Sequence, residues 1–447
     1  MHQDAGIRLR PFEPEDRKFL KNMLRNSVVR RRAEHGIAQP VSEGYMDEYM
    51  EYIQESCDAG EECWLLVCAT EHDGSSSCTQ GKKSNAHLTD QSVQTNLKET
   101  RIGYGTITWI DRIHGRGEVS LMILPDYRNR GYGKSAMMAL FDVGFEQLGL
   151  HKLTAEVLML EGEESERICA WLCRMGFCQD GYRSHMFREK GNSYAVAYYS
   201  ILSEEYKGYR KPYIPSERGE DEISRPNAQE NSWLCKQPHA CKFIGNPYKA
   251  PYFWQTDKIE LTAMTEAYVS CNREILECQE DQYYFISRSM TEDDEVFENA
   301  LELIDLLEEN DSISYAILDL AGNYVGNLNL VGMDYVNRRF SYNIYILRKY
   351  RGRGYAREAL QLALIYAFGE LGMEKMICTV DVDNLASLAV MQQAGCRVEG
   401  RRRDEVFYDG TYHDMYMLGV HRDFYLSYCL EEELPQSSKG HVAREKS

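Results

Sequence analysis

The segment Ile344–Leu360 reads IYILRKYRGRGYAREAL, and the segment Leu121–Met137 reads LMILPDYRNRGYGKSAM. Aligned without gaps, both have an apolar, strand-like start, then a Tyr-Arg step, an Arg-Gly-Tyr step and an apolar helical pattern. The similarity extends over Val119–Leu153 in one copy and Tyr342–Met376 in the other. A repeat of this length predicts a duplicated domain rather than a solenoid unit.

The alternation of Arg and Gly between strand and helix predicts a binding site for phosphate or pyrophosphate. Such a loop points backbone N–H groups and the positive end of a helix dipole at one place, Gly allows close backbone approach, and Arg adds charge. Gly133-Lys134-Ser135 resembles the end of a P-loop, but the glycine required five residues earlier is Arg128. The dinucleotide fingerprint fails because Arg357 stands where a third Gly or Ala is needed.

The pattern that remains is R-x-x-G-x-G/A, which begins at Arg128 and again at Arg351. It resembles the acetyl-CoA pyrophosphate loop of the GNAT N-acetyltransferases. The second copy is also similar to the ribosomal-protein N-terminal acetyltransferase branch, through Val380–Ser387, Gln393–Gly400 and Tyr408–Asp414. The resemblance implies an α/β chain with a mixed sheet, two tandem GNAT folds, and acetyl-CoA as co-substrate.

The resemblance also implies which residues hold acetyl-CoA: loop amides for the pyrophosphate and the end of the preceding strand for the pantetheine arm. In the second copy these residues are Ile346, Leu347, Arg351, Gly352, Arg353, Gly354, Tyr355, Ala356 and Arg357. In the first copy they are Ile123, Leu124, Arg128, Asn129, Arg130, Gly131, Tyr132, Gly133 and Lys134.

Catalytic roles follow from the same resemblance in the second copy. Asn384 would line the cleft, and Ser387 would protonate the departing thiolate. Asn384 is equally suited to cap the following helix, and both roles can coexist. The branch commonly places a Glu at the position of Val406, so Asp404, which an alternating strand would orient the same way, is the candidate base. A water relay or an already neutral amine are alternatives.

The first copy departs from this pattern. Glu118 stands where many GNAT enzymes keep a carboxylate that deprotonates the amine through water, a position that Ser341 takes in the second copy. Beyond the loop, the first copy is four residues longer around Leu160–Glu166, and Ile168 falls opposite Ser387. The first copy is therefore either a second active site with another specificity or a structural half that binds CoA without catalysis.

Composition restricts the partners of the chain. Its 447 residues include 51 Lys and Arg against 70 Asp and Glu, a net charge of −19. This charge argues against binding nucleic acid or anionic membranes and favours a cationic amine. The 14 Cys are irregularly spaced, which predicts reduced thiols in a cytoplasmic protein. Cys235, His239 and Cys241 lack a clear fourth ligand, so we expect no metal.

The predicted organisation is an N-terminal GNAT domain over 1–205 with a polar, disordered loop at about 72–100, a linker over 206–252, a C-terminal GNAT domain over 253–430 and a flexible tail over 431–447. The predicted function is acetyl transfer to a primary amine, either a protein N-terminus or a small cationic amine, mainly in the C-terminal domain. A non-catalytic acyl-CoA-binding sensor or scaffold is the alternative. Two paired copies predict a monomer that is an internal pseudo-dimer, or else a homodimer.

Overall fold

The computed structural model describes residues 6–25, 41–71, 98–209, 247–250, 252–269, 271 and 312–430. The chain divides into two compact units. The first comprises Met1–Gln179 with Tyr198–Ile214, and the second comprises Asp180–Ala197 with Pro215–Ser447. The segment Asp180–Ala197 thus groups with the second unit although it belongs to the first sequence copy. The domain ranges inferred from the sequence stay a prediction.

The first unit is an α/β unit whose strands run in the order β1-β2-β3-β4-β5. Its elements are β1 (Ile7–Pro11), α1 (Arg17–Arg25), α2 (Glu43–Ala59), β2 (Cys63–Glu71), β3 (Lys98–Asp111), β4 (Arg116–Ile123), α3 (Tyr132–Phe141), β5 (Lys152–Met159) and α4 (Glu163–Arg174). Strands β6 (Cys178–Glu189) and β7 (Asn192–Leu202) follow, and α5 (Ser203–Tyr209) comes after them. Neighbouring strands are antiparallel except β4 and β5, which are parallel.

The second unit has the strand order β6-β13-β14-β12-β11-β10-β9-β8. Its elements after β6 are β8 (Ile259–Ala263), α6 (Glu266–Val269), β9 (Ile313–Asp319), β10 (Tyr324–Asp334), β11 (Arg339–Ile346), α7 (Tyr355–Gly369), β12 (Lys375–Asp381), α8 (Leu385–Gln393), β13 (Arg397–Tyr408), β14 (Thr411–His421) and α9 (Arg422–Leu430). Helix α7 is apolar on nearly all sides, as a helix buried in a core requires, and Phe368 packs between Phe340 and Tyr425.

Strands β11 and β12 are parallel neighbours that separate soon after they meet. They pair only at Arg339 with Lys375 and at Phe340 with Met376. On its other edge β12 pairs along its whole length with β14. The separation opens a cleft between β11 and β12 and leaves backbone groups there without a strand partner. Strands β4 and β5 of the first unit pair at only three positions.

The segment Asp180–Ala197 is held in the second unit by close backbone contact and by buried charge. Gly181 pairs with Gly400, and a Cβ on Gly400 would lie 2.5 Å from the Cα of Gly181, so larger residues do not fit. The Lys375 ammonium lies 2.5 Å from Glu399 Oε1 and also donates to the carbonyl of Ser184. These contacts couple β6 to β12 and β13 inside this unit.

β-Branched and aromatic residues in the sequence predict strands at Ile7–Pro11, Cys63–Thr70, Ile102–Ile110, Glu118–Leu124, Ser314–Asp319, Tyr324–Val331 and Arg339–Leu347. The structure confirms these strands to within a few residues. An amphipathic pattern predicts a helix over Glu292–Glu308. That segment lies outside the described residues, as do most of the polar loop at 72–100, most of the linker, the tail and the cluster around Cys235. No described helix is long and apolar enough to cross a bilayer. The cytoplasmic location stays a prediction.

Candidate active site

A cavity of about 980 Å³ lies in the cleft between β11 and β12 of the second unit. Its walls come from β11, the loop that leads into α7, the end of β12 and the first turns of α8, with Val406 and Met415 completing the lining. The residues predicted for the site that line this cavity are Ile346, Arg351, Gly352, Gly354, Tyr355, Ala356, Arg357, Asn384 and Ser387. The tertiary structure therefore brings the predicted cofactor and catalytic segments to one place.

The loop before α7 has the conformation that anion binding requires. Gly352 and Gly354 have φ values of 77° and 84°, in the left-handed region that glycine adopts readily. The Arg351 Nε donates to the carbonyl oxygen of Ile346 at 2.9 Å and so ties the loop to the end of β11. Helix α7 begins directly after Gly354, so its first N–H groups face the loop without helical partners.

Two predicted cofactor residues are not part of the cavity lining. Leu347 is buried, and its N–H donates to the carbonyl of Val325 at 2.9 Å. The Arg353 guanidinium lies over the ring of Tyr350 at 5.3 Å. Their roles in binding acetyl-CoA stay predictions.

A buried carboxylate binds two cationic side chains next to the loop, and no sequence motif predicted it. Glu358, 2 % exposed, lies 2.9 Å from Lys258 Nζ and 3.1 Å from the Arg357 guanidinium, and it accepts a hydrogen bond of 2.6 Å from the Thr256 hydroxyl. A Cβ placed on Gly354 would be 3.5 Å from Lys258 Nζ, so this ammonium is next to the loop. No local pattern signals this cluster, because Thr256 and Lys258 are about a hundred residues from Glu358 in sequence.

Asn384 caps α8. Its Oδ1 accepts a hydrogen bond of 3.0 Å from the N–H of Ser387, which satisfies one of the free donors at the helix start. The same cap fixes Ser387 in the first turn, where it lines the cavity. The capping interpretation of Asn384 is thus confirmed, while the chemical role of Ser387 stays a prediction.

The prediction that Asp404 is a base depends on regular alternation of side chains along β13, and the strand does not alternate there. The register with β14 shifts between Arg402 and Val406, and Asp404 has a φ of 47°. Its N–H donates to Asp414 Oδ1 at 2.8 Å. Among the described residues of β13, Val406 lines the cavity and Asp404 does not. The predicted regular alternation between Asp404 and Val406 is therefore wrong. The role of Asp404 as a base stays a prediction.

Two carboxylates that the sequence analysis passed over line the same cavity. Asp381 ends β12 and Asp383 precedes α8. They are the only Asp or Glu among the described lining residues, and Arg351 and Arg357 are the only Lys or Arg. The family motif in this segment indicated roles for Asn384 and Ser387 and none for the two aspartates.

The loop of the first unit has the same backbone shape. The Arg128 Nε donates to the carbonyl of Ile123 at 3.0 Å, and Asn129 and Gly131 have φ values of 60° and 87°. Asn129 stands where the second unit has Gly352, consistent with the tolerance of Asn for this region. Glu118, half-buried, pairs with Thr154 at the last registered position of β4 and β5.

The cleft of the first unit differs in what fills it. Arg128 Nη1 forms an ion pair with Glu164 Oε1 at 3.2 Å. A Cβ on Gly133 would lie 3.9 Å from Trp171 Cζ2, so the indole rests against the loop. Counting back from the glycines that end α4 and α8, Trp171 corresponds to Val390, which lines the cavity of the second unit. The predicted roles of the first-unit loop residues and of Glu118 are untested.

Comparison with known proteins gives the family. The profile of the acetyltransferase (GNAT) domain matches residues 7–169 and again residues 261–397. The chain therefore belongs to the GNAT acetyltransferases, with the domain present twice, and the resemblance and the tandem fold predicted from the sequence are confirmed. Its class is that of N-acetyltransferases.

Individual relatives are distant. Spermidine N(1)-acetyltransferase of Escherichia coli K12 is 29 % identical over 137 residues, which is 30 % of this chain and 74 % of that protein. A putative ribosomal N-acetyltransferase of Bacillus subtilis, YdaF, is 31 % identical over 94 residues, 21 % of this chain and 51 % of that protein. A crystal structure of spermidine N-acetyltransferase from Vibrio cholerae in complex with CoA and spermine is 22 % identical, with a TM-score of 0.35 over 38 % of this chain and 98 % of that one.

Proposed function

We propose that the second unit transfers the acetyl group of acetyl-CoA to a primary amine of a small cationic acceptor, with polyamines the leading class. The observation that carries the proposal is the single cavity that joins an anion-binding loop, an open strand edge and Ser387. The names of several relatives, which are spermidine acetyltransferases, support the choice of acceptor. The net charge of −19 favours a cation over a neutral partner.

Each part of the cavity has a function in this proposal. The N–H groups at the start of α7, with the charges of Arg357 and Lys258, would bind the pyrophosphate. The edge of β11 beyond Phe340, which no longer pairs with β12, offers hydrogen bonds to the amides of the pantetheine arm. In this proposal the thioester lies in the cleft near Ser387.

The reaction itself requires positioning and proton transfer. A neutral amine nitrogen forms a bond to the carbonyl carbon, the C–S bond breaks, the nitrogen loses one proton, and the thiolate gains one to leave as CoA. In the proposal the Ser387 hydroxyl donates to the departing sulfur. The proton that the amine loses goes to solvent or to a group reached through water.

The cavity favours direct transfer over an acetylated cysteine. Cys378 is the only thiol among the described lining residues, and burial raises its pKa to about 12, so it is protonated at neutral pH. Its Sγ lies 3.6 Å from the sulfur of Met391 in the core. Burial also raises the pKa of the Tyr342 phenol, so this group stays protonated at neutral pH and does not accept the amine proton.

The test is an acetyl-CoA assay on the full chain that measures release of the CoA thiol with polyamines, basic N-terminal peptides and no amine. Ser387→Ala should lower kcat by about 100- to 10,000-fold, the usual range for acid catalysis, with acetyl-CoA affinity unchanged. Ser193→Ala, at an exposed position of β7, is the matched control and should retain full activity. Binding of acetyl-CoA without turnover on any amine would instead identify an acyl-CoA-binding protein. Better turnover of peptides than of polyamines would overturn the choice of acceptor.

A further inference from the structure

The acidic wall of the cavity is formed by Asp381 and Asp383, and we define it by these two residues. Along β12, the alternate residues Met376, Cys378 and Val380 belong to the core that α7 and α8 cover. Successive side chains of a strand point to opposite faces, so Asp381 faces away from that core. Asp381 therefore lies on the face of the sheet opposite α7 and α8.

Asp381 is held in place although it is almost fully buried. It is 6 % exposed, its Oδ1 accepts the N–H of Asp383 at 2.8 Å, and its Oδ2 accepts the hydroxyl of Tyr408 at 2.8 Å. A carboxylate has about four lone-pair positions, so these two donors from the described residues leave capacity for a ligand. An ionised group at this depth is stable only with donors or a positive charge nearby.

A histidine completes the cluster. The ring of His413 stacks on that of Tyr408, with centroids 3.7 Å apart and planes within 7°. His413 Nδ1 is 3.6 Å from Asp383 Oδ2. Ligand atoms of Asp381, Asp383 and His413 all lie within 4.8 Å of one another. Three acceptor-capable atoms thus converge where a small cation with several N–H donors would fit.

We propose that Asp381 and Asp383, positioned by Tyr408 and His413, bind a second ammonium group of the acceptor, so that the enzyme prefers diamines and polyamines to monoamines. This inference rests on the proposed function and specifies the acceptor of the same site. It assigns the acidic wall to specificity rather than to the reacting nitrogen.

The reason for that assignment is electrostatic. The attacking nitrogen must be neutral, and adjacent carboxylates stabilise the protonated form of an amine by raising its pKa. Two carboxylates therefore disfavour the reaction of any nitrogen they hold. They favour an ammonium that stays charged while another nitrogen of the same molecule reaches the thioester.

The test compares 1,5-diaminopentane and spermidine with pentylamine on the full chain, in EDTA, with KM and kcat measured separately. Wild type should favour the two polycations. Asp383→Asn should raise their KM by about tenfold or more, the scale of one charged hydrogen bond, and should raise the KM of pentylamine much less. Asp423→Asn, which removes an 89 % exposed carboxylate elsewhere in the second unit, is the matched control and should change neither.

Asp381→Asn should have the same or a larger effect, and melting temperatures identify loss of folding at this buried position. The exposed Asp383, at 69 % side-chain exposure, keeps the test valid in that case. Equal use of pentylamine by wild type, or no change in Asp383→Asn, would overturn the inference and leave the proposed function intact. Loss of the preference in EDTA would also overturn it, because a metal ion would then be the ligand. A wild type inactive on all three amines and on peptides would refute the proposed function itself.

Discussion

Replacing Gly354 with valine should strongly weaken acetyl-CoA binding while the fold persists. Gly354 has a φ of 84°, and a β-branched residue there is strongly disfavoured. The left-handed conformation costs an L-residue about 1–2 kcal/mol, and losing one charged hydrogen bond from the loop costs a further ~1.5–3 kcal/mol. The sum of about 2.5–5 kcal/mol corresponds to roughly 70-fold to several-thousand-fold weaker binding.

Steric collision is not the cause of this loss. A Cβ on Gly354 would be 3.5 Å from Lys258 Nζ, an ordinary contact. The loop instead relaxes to a permitted φ, so binding must restore the strained φ, and we expect one loop hydrogen bond to the ligand to be lost as well. Gly322→Val is the matched control, since Gly322 has a φ of 81° with no atom within 4 Å of its Cβ position, and it lies in the β9–β10 turn.

Isothermal titration calorimetry of acetyl-CoA against the full chain measures the effect. We expect one site per chain in wild type, in Gly322→Val and in Gly131→Val, and strongly weakened binding in Gly354→Val. The first-unit loop should contribute no site, because Glu164 pairs with Arg128 and Trp171 rests against Gly133. Two sites in wild type, one of them lost in Gly131→Val, would refute this reasoning by showing that the first cleft also opens.

Three further predictions concern stability. Lys375→Met should lower the free energy of unfolding in urea by at most about 3–5 kcal/mol, because Glu399 loses the ammonium and keeps the buried Arg183 guanidinium at 3.5 Å. Lys375→Met with Glu399→Met should cost less than the sum of the two single changes. Burial, and then the neighbouring His185, lower the pKa of His421, so the unfolded chain binds its proton more tightly; stability should be full above about pH 6.5 and fall as the pH drops below that value. Urea titrations at pH 7.5 and 5.5 should show this fall in wild type and a smaller one in His421→Asn, and an equal fall in both would contradict it. Asn384→Ala should cost about 1 kcal/mol through loss of the α8 cap, and Asn384→Asp should restore it; melting curves that rank Asp with Ala would exclude the capping role.

The sequence determined the features that local pattern encodes. The duplicated strand, loop and helix around Arg128 and Arg351 are confirmed as the same turn in both units, because Arg, Gly and a following apolar helix fix a local backbone path. The cap at Asn384 is of the same kind, since its partner is three residues away. Most strands were predicted because β-branched and aromatic residues mark them directly.

The tertiary structure decided what depends on contacts between distant segments. The bulge near Asp404 shifts the register of β13, and no spacing in that segment announces it. Lys258 contacts Glu358 beside the loop before α7 only because β8 packs beside α7. Asp381 contacts Tyr408 only because β12 lies beside β14, whose hairpin partner β13 carries the tyrosine. Which strands pair and which helices pack together depends on the apolar area buried over the whole unit. A single chain segment specifies its own conformation but not which charged groups the completed core places beside it.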